Sequence, residues 1–287
     1  VQRPHLVGPV VAAGARMMRV FLLLLASAFT SLLAAQPGLE GVVIKGAFDL
    51  VTTDEIGNVY TLKGDELSLF DAKGRRLNRN SLKNFGPISH IDVFSSLKPM
   101  IFSRQQGMLA VLDNTLAIQG DPIDLPRNGF PQVTLACMSV QNAFWFYDER
   151  LMRLARVDRQ LRPLADTGRL DQLLGFSPRP VHMQEHDGWL YVLDPENGVL
   201  VFDLFGGYAR TLPVVGAMRF EARDGHLIYL KDGVLHSYDL RSGEVDLPVT
   251  WIGLPGNPRP MDARVERGLL YVHYPERIVI DTPEPKR

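Results

Sequence analysis

Three groups of residues in this chain have types and spacings that suggest chemistry. The first is His182-Met-Gln-Glu185-His186, which spells H-x-x-E-H, the order found in inverted zinc peptidases. That chemistry needs a helix, where residues four apart lie one above the other and reach one metal. Here the run passes directly into Asp187-Gly188 and WLYVLD, so it reads as a strand. On a strand, residues four apart are separated by about 13 Å, and the two histidines cannot share an ion. The second group is acidic. Asp54, Asp92, Glu185, Glu221 and Asp262 stand in polar segments that each precede an apolar one. If they converged they would offer hard oxygen ligands for a calcium or zinc ion, and Asp92, Glu185 and Asp262 are the candidate ligands. Arg219, Arg223, Arg264 and His182 share the same segments, and a mixed set of charges favours neutralising pairs over a free ligand set. The third group is basic. Arg75, Arg76, Arg79 and Lys83, with Lys73, form a candidate surface for an anionic partner, and Arg150, Arg153, Arg156, Arg159 and Arg162 form a second Arg-rich run. A solvated strand edge accounts for both runs equally well, and is the preferred reading.

Cys137 is the single cysteine. No disulfide framework or Cys-based zinc cluster can be built from it, and with no activating charge nearby in sequence it reads as a small apolar filler. The G-x-S-x-G elbow and Gly-rich phosphate loops are absent from the sequence. With 31 Lys and Arg against 32 Asp and Glu, the formal net charge is −1. The chain therefore has no global attraction for nucleic acid or anionic membrane.

The elements that must position these residues follow an N-terminal stretch with its own logic. Residues 20–35, VFLLLLASAFTSLLAA, follow Met17-Met18-Arg19 and precede Gln36-Pro37-Gly38. A charged start, a Leu-rich run and closing small residues read as a secretory signal over residues 17–35, starting at Met17 or Met18. An apolar run of this length is short for a membrane span, which takes about 20 residues. Residues 1–16 read as translated sequence upstream of the true start, and residues 36–287 as one folded domain. Arg3, Arg16 and Arg19 are the charged residues of 1–35, so the mature chain keeps 28 basic against 32 acidic residues, a net charge of −4. No stable transmembrane segment is expected after signal removal.

A short apolar run, usually opened by Gly, recurs six times: GNVYTL, PMIF, AFWFYDE, GWLYVLD, GHLIYL and GLLYVHY. Each is preceded by a more polar strand and followed by a turn and a further strand-like run, several of which close on Asp, as at Asp158, Asp203, Asp239 and Asp281. A period near 40 residues holding several short strands is that of a β-propeller blade. In Phe144-Trp145-Phe146-Tyr147, successive side chains are all apolar although a strand sends neighbours to opposite faces, so both faces must be dry. The polar strands then line a wet central channel. A fourth short run follows each copy except the last, and LEGVVIKG, residues 39–46, supplies the spare strand that would close the ring and hide its edges. Residues 163–180 hold a short helix at Leu170–Leu174.

The stretch DGWLYVLDPENGVLVFDLFG resembles a blade of the six-bladed NHL-like or TolB-like propellers of exported bacterial proteins, and more loosely the quinoprotein-type repeats. The resemblance covers most of the mature chain and implies fold far more than activity. No Trp-Asp ending with an upstream Gly-His marks a WD40 blade, and the tryptophans Trp145, Trp189 and Trp251 are too few for the docking repeat of quinoprotein dehydrogenases. The expectation is an all-β, six-bladed propeller of four-stranded blades closed by an N-terminal strand. It is expected to be periplasmic or secreted, to use no cofactor, and to act as a non-catalytic binding or assembly module for a protein of the cell envelope. The alternative is a metal-dependent, lactonase-like hydrolase with calcium or zinc at the channel mouth.

Overall fold

The computed structural model describes residues 41–246 and 258–282. The leader and signal read over residues 1–35 lie outside the described residues, as do Leu39, Glu40 and Trp251. Six four-stranded antiparallel sheets form the blades of a propeller. Blade 1 holds β2 (Leu50–Thr53), β3 (Val59–Lys63), β4 (Glu66–Phe70) and β5 (Arg76–Ser81). Blade 2 holds β6 (His90–Asp92), β7 (Met100–Ser103), β8 (Met108–Val111) and β9 (Ile123–Asp124). Blade 3 holds β10 (Val133–Ser139), β11 (Ala143–Asp148), β12 (Arg153–Val157) and β13 (Pro163–Asp166). Blade 4 holds β14 (His182–His186), β15 (Trp189–Asp194), β16 (Gly198–Asp203) and β17 (Tyr208–Leu212). Blade 5 holds β18 (Glu221–Arg223), β19 (His226–Lys231), β20 (Val234–Asp239) and β21 (Val245–Asp246). Blade 6 takes β22 (Asp262–Glu266), β23 (Leu269–Tyr274) and β24 (Arg277–Asp281) from the end of the chain and its outer strand, β1 (Val42–Lys45), from the beginning.

That closure follows the register Val42↔Ile280, Val43↔Val279, Ile44↔Ile278 and Lys45↔Arg277. It pairs an edge that would otherwise be open. Gly41 sits against it so closely that a Cβ there would meet the Ile280 carbonyl oxygen at 2.3 Å. The six-fold repeat and the N-terminal closing strand expected from the sequence are therefore both present, as is the helix α1 (Leu170–Leu174). Among the described residues no helix is long and apolar enough to cross a membrane.

Alternation within the second strands shows why they are apolar throughout. Along β11, Phe144 and Phe146 pack toward blade 2 against Phe102, Leu109 and Phe130, while Trp145 and Tyr147 pack toward blade 4 with Met183, Leu190 and Phe202. Each face of the strand is thus the core of a different seam. The turns repeat as well. Asp187-Gly188, Asp224-Gly225 and Arg267-Gly268 all have positive φ at both positions, near 50° and then 75°, the two-residue turn whose twist matches a hairpin. The recurring Asp at the end of the third strand is a turn cap. Asp158, Asp203 and Asp239 each accept two backbone N–H bonds from the following turn, and Asp71 and Asp113 do the same in blades 1 and 2.

Candidate functional site: the central channel and its mouth

An inner strand of a blade is paired on one side only. Its other edge faces the channel, and its backbone N–H and C=O groups still need partners. This explains the polar residues of the inner strands. Asp92 in β6 reaches across to blade 3 and accepts the Met138 N–H at 2.7 Å, while its other oxygen accepts Phe94 N–H at 2.8 Å. Glu185 in β14 reaches back to blade 3, where it accepts the Val140 N–H at 2.9 Å and the Trp145 indole N–H at 2.7 Å. Gln184 turns to blade 5, accepting the Ala222 N–H at 2.8 Å and donating to the Ala222 carbonyl at 3.4 Å. The His182 ring lies 3.0 Å from the Phe220 carbonyl through Nε2. These side chains stitch blades together.

The three candidate metal ligands are therefore engaged separately, in blades 2, 4 and 6. Asp262 accepts from Arg264 through Nε and Nη2, both at 3.3 Å, and from the Ala263 N–H. Among the described residues no three His, Cys, Asp or Glu side chains gather into a metal-holding group. His182 and His186 lie at opposite ends of β14 and do not share a site. One expectation is corrected: Asp92 and Glu185 are not neutralised by the inner-strand arginines. Their charge is answered by backbone and indole N–H groups, because the unpaired strand edge beside them is the nearer donor. Burial pushes the Asp92 carboxyl up to about 6 against the pull of those two N–H bonds. A second correction concerns solvation. Glu185, Glu221 and His182 are all buried, so the polar inner strands serve seams between blades as much as a wet channel.

The arginines divide into two kinds. Arg264 is tied to Asp262 and to the Thr52 hydroxyl at 3.1 Å, which joins blade 6 to blade 1. Arg223 joins blade 5 to blade 6 by pairing with Glu266 and, at 3.2 Å, with Glu221. Both glutamates are buried and each keeps one oxygen without a partner. Burial pushes Glu266 up to about 7, with Glu221 and Asp54 adding to the rise against the pull of Arg223 and Arg267. Arg219 is different: among the described residues it makes neither a hydrogen bond nor an ion pair. Burial and the nearby Arg264 lower it to about 10.

A cavity of about 440 Å³ fills the channel. It reaches from His90, His182, Arg219 and Arg264 at the start of the inner strands to Phe94 and Asp187 in the loops at their end. The His90 and His182 rings stand 5.9 Å apart, edge to face, between this cavity and a second one of about 160 Å³ that both also line. Burial, reinforced by Arg219 and Arg264, holds His90 down to about 3 and His182 well below the ordinary histidine range, so both rings are neutral.

The loops around the mouth are tied to one another. The Ser96 N–H donates to Glu55, Lys98 donates to Asn142, and Arg267 donates to the Glu55 carbonyl. Ile56, Phe94 and Leu97 are exposed on these same inner-to-second-strand connections, Leu97 most of all at 66%, and Trp189 is exposed at the start of β15.

The basic residues take separate places. Arg75 pairs with Asp71 and Arg79 with Glu66, both in solvent, while Arg76 and Lys83 are exposed along and beyond the outer strand of blade 1. In the second run, Arg153 pairs with Asp166 and Arg162 with Asp158. Arg156 departs from the expected solvated edge. It is buried, donating to the Ser139 hydroxyl at 2.8 Å and to the Val140 carbonyl at 3.3 Å. Cys137 is buried in the seam between blades 3 and 4, where burial pushes its thiol well up. Sequence reading overlooked His90 and Glu266. Aligning the repeats on their two-residue turns puts Glu266 one residue before the turn, where His186 and Arg223 stand, and that alignment was the available signal.

No protein-family model matches this sequence, and no curated protein matches it. Solved structures do share the fold. A streptogramin B lyase aligns over 85% of this chain and 96% of its own, with TM-score 0.57 and 14% identity. A catalytically inactive variant of virginiamycin B lyase from Staphylococcus aureus, solved with quinupristin, aligns over 86% of this chain and 81% of its own, with TM-score 0.55 and 12% identity. The extracellular domain assigned to a one-component system of B. thetaiotaomicron aligns over 83% of this chain and 33% of its own, with TM-score 0.51 and 12% identity. At these identities the likeness is one of fold.

Proposed function

We propose that this propeller is an exported, non-catalytic binding module that docks a protein of the cell envelope on the loop face around its channel mouth. The observation that carries the reading is the mouth itself. Ile56, Phe94 and Leu97 stand exposed on short loops that are cross-tied, with Trp189 exposed at the start of β15, so an apolar contact surface is held in place before any partner arrives. The acids that a hydrolytic cation site would use add support, since Asp92 and Glu185 hold backbone and indole donors and Asp262 holds Arg264. Export rests on the signal read over residues 17–35. The structural neighbours include a lyase and an extracellular domain, so the fold alone does not choose between chemistry and binding. The reading requires no cofactor.

The test is stoichiometric co-purification of a defined partner from the native envelope, compared between wild type and a Leu97→Ser, Trp189→Ser double variant. Loss of the partner with unchanged thermal stability is the expected result. Retention of the partner would overturn this docking face, while calcium or zinc binding with a dissociation constant below about 10⁻⁵ M that is lost in Asp92→Ala, Glu185→Ala and Asp262→Ala would favour the hydrolase.

A further inference from the structure

The depth of the channel holds a guanidinium that no acceptor meets directly among the described residues. Asp262 is held by Arg264, Glu221 and Glu266 by Arg223, and Asp92 and Glu185 by N–H donors. Arg219 lines the same cavity, is only partly exposed, and has no hydrogen-bond or ion-pair partner among the described residues. Asp262 and Glu221 act on it only through space, and a guanidinium partly withdrawn from water with no hydrogen-bond acceptor is unfavourable. The histidines beside it add no further positive charge, because they are neutral. The planar fork of an arginine matches two oxygens of a carboxylate or phosphate at once. The cavity has room for such a ligand, since about 440 Å³ lies within the range of small-molecule sites, roughly 300–1,000 Å³, and the acids that also line it include Asp92 and Glu185, held by N–H donors, and Glu221, held by Arg223. Phe94, Ile91 and Val140 add apolar wall to it.

We propose that the channel is a binding site for a small organic oxyanion, a carboxylate or phosphate, seated on Arg219 with its body in the cavity between Arg264 and the His90 and His182 rings. The inference stands on the channel alone and is independent of the docking face. A protein that binds no partner can still pass the following test.

The experiment uses the purified mature chain, thermal denaturation and calorimetric titration, with inorganic phosphate and citrate as separate probes in chloride buffer of matched ionic strength. The two arms separate phosphate from carboxylate recognition. One probe at least is expected to raise the wild-type Tm by several degrees at concentrations about 100-fold above its dissociation constant. In Arg219→Met that rise disappears. Without either probe, Arg219→Met is expected to melt at or above the wild-type temperature, because it removes a half-buried charge that has no hydrogen-bond acceptor. Arg219→Lys keeps the charge and loses the fork, and should weaken binding by about tenfold or more. Three results would overturn the proposal: no shift in wild type with either probe at about 10 mM, a shift of equal size in Arg219→Met, or an Arg219→Met that melts below wild type without a probe. The last would reveal a structural partner for Arg219.

Discussion

Blades 3 and 4 meet through Trp145, Leu154, Met183, Leu190, Val192 and Phe202, with Glu185 satisfying the indole and a backbone N–H across the seam. Blades 5 and 6 meet instead at Arg223, shared between Glu221 and Glu266, with an unpartnered oxygen left on each acid. Both seams bury a carboxylate from an inner strand. In the first, neutral donors complete its hydrogen bonding and an apolar cluster surrounds it. In the second, Glu221 and Glu266 converge on Arg223, each keeps an oxygen without a partner, and burial raises both carboxyls. The difference teaches that an inner-strand acid is no sign of catalysis by itself. What matters is which donor stands across the seam.

The comparison can be broken most forcefully at the ring's closure. Deleting residues 42–45 removes the outer strand of blade 6 and leaves an open edge beside the charged seam. Loss of the single cooperative unfolding transition is expected in urea denaturation. A truncated chain with wild-type stability would show that the ring does not depend on this strand.

Within the apolar seam, Trp145→Ala should cost about 3–5 kcal/mol by equilibrium denaturation. Glu185→Ala should cost about 2–4 kcal/mol, because it orphans two buried donors. The double variant should cost less than the sum, since the two residues share a hydrogen bond.

The charged seam should respond to pH through its two raised carboxyls. Glu266 is raised from 4.5 to about 7 when folded. Between those values the folded chain keeps a proton that the unfolded chain releases, so stability falls as pH rises and the loss is complete above about pH 7. Glu266→Gln should remove about 1–2 kcal/mol of that decline, read from denaturation midpoints between pH 5 and 8. Asp92 titrates with the same sign at lower pH, and its share of the slope should persist in the variant. An unchanged slope in Glu266→Gln would mean that Arg223 keeps Glu266 ionised.

Smallest of all, Arg79→Gln should change stability by less than about 0.5 kcal/mol, as its pairing with Glu66 lies in solvent. A larger loss would make the outer edge of blade 1 more than a solvated strand.

The sequence by itself determined what is local and periodic. The alternation of Phe144 to Tyr147 demanded two dry faces, and the Asp-Gly pairs and strand-ending Asp residues marked the turns. The missing fourth strand of the last copy pointed to residues 39–46, and punctuation by Pro and Gly isolated the helix at Leu170–Leu174. Each of these is decided within a few residues of chain, where backbone geometry ties residue type to conformation. The tertiary structure alone decided the partners of the polar inner strands. Asp92 meets the N–H of a residue 46 positions away, Glu185 one 45 away, and Arg223 a glutamate 43 away. A repeat near 40 residues places such groups on neighbouring blades without fixing the offset between them. Whether an acid finds an N–H, an arginine or nothing depends on that offset. So it is that Arg156, from an exposed-looking run, lies buried on Ser139, while Arg219, from an ordinary-looking run, stands in the channel without a direct partner among the described residues.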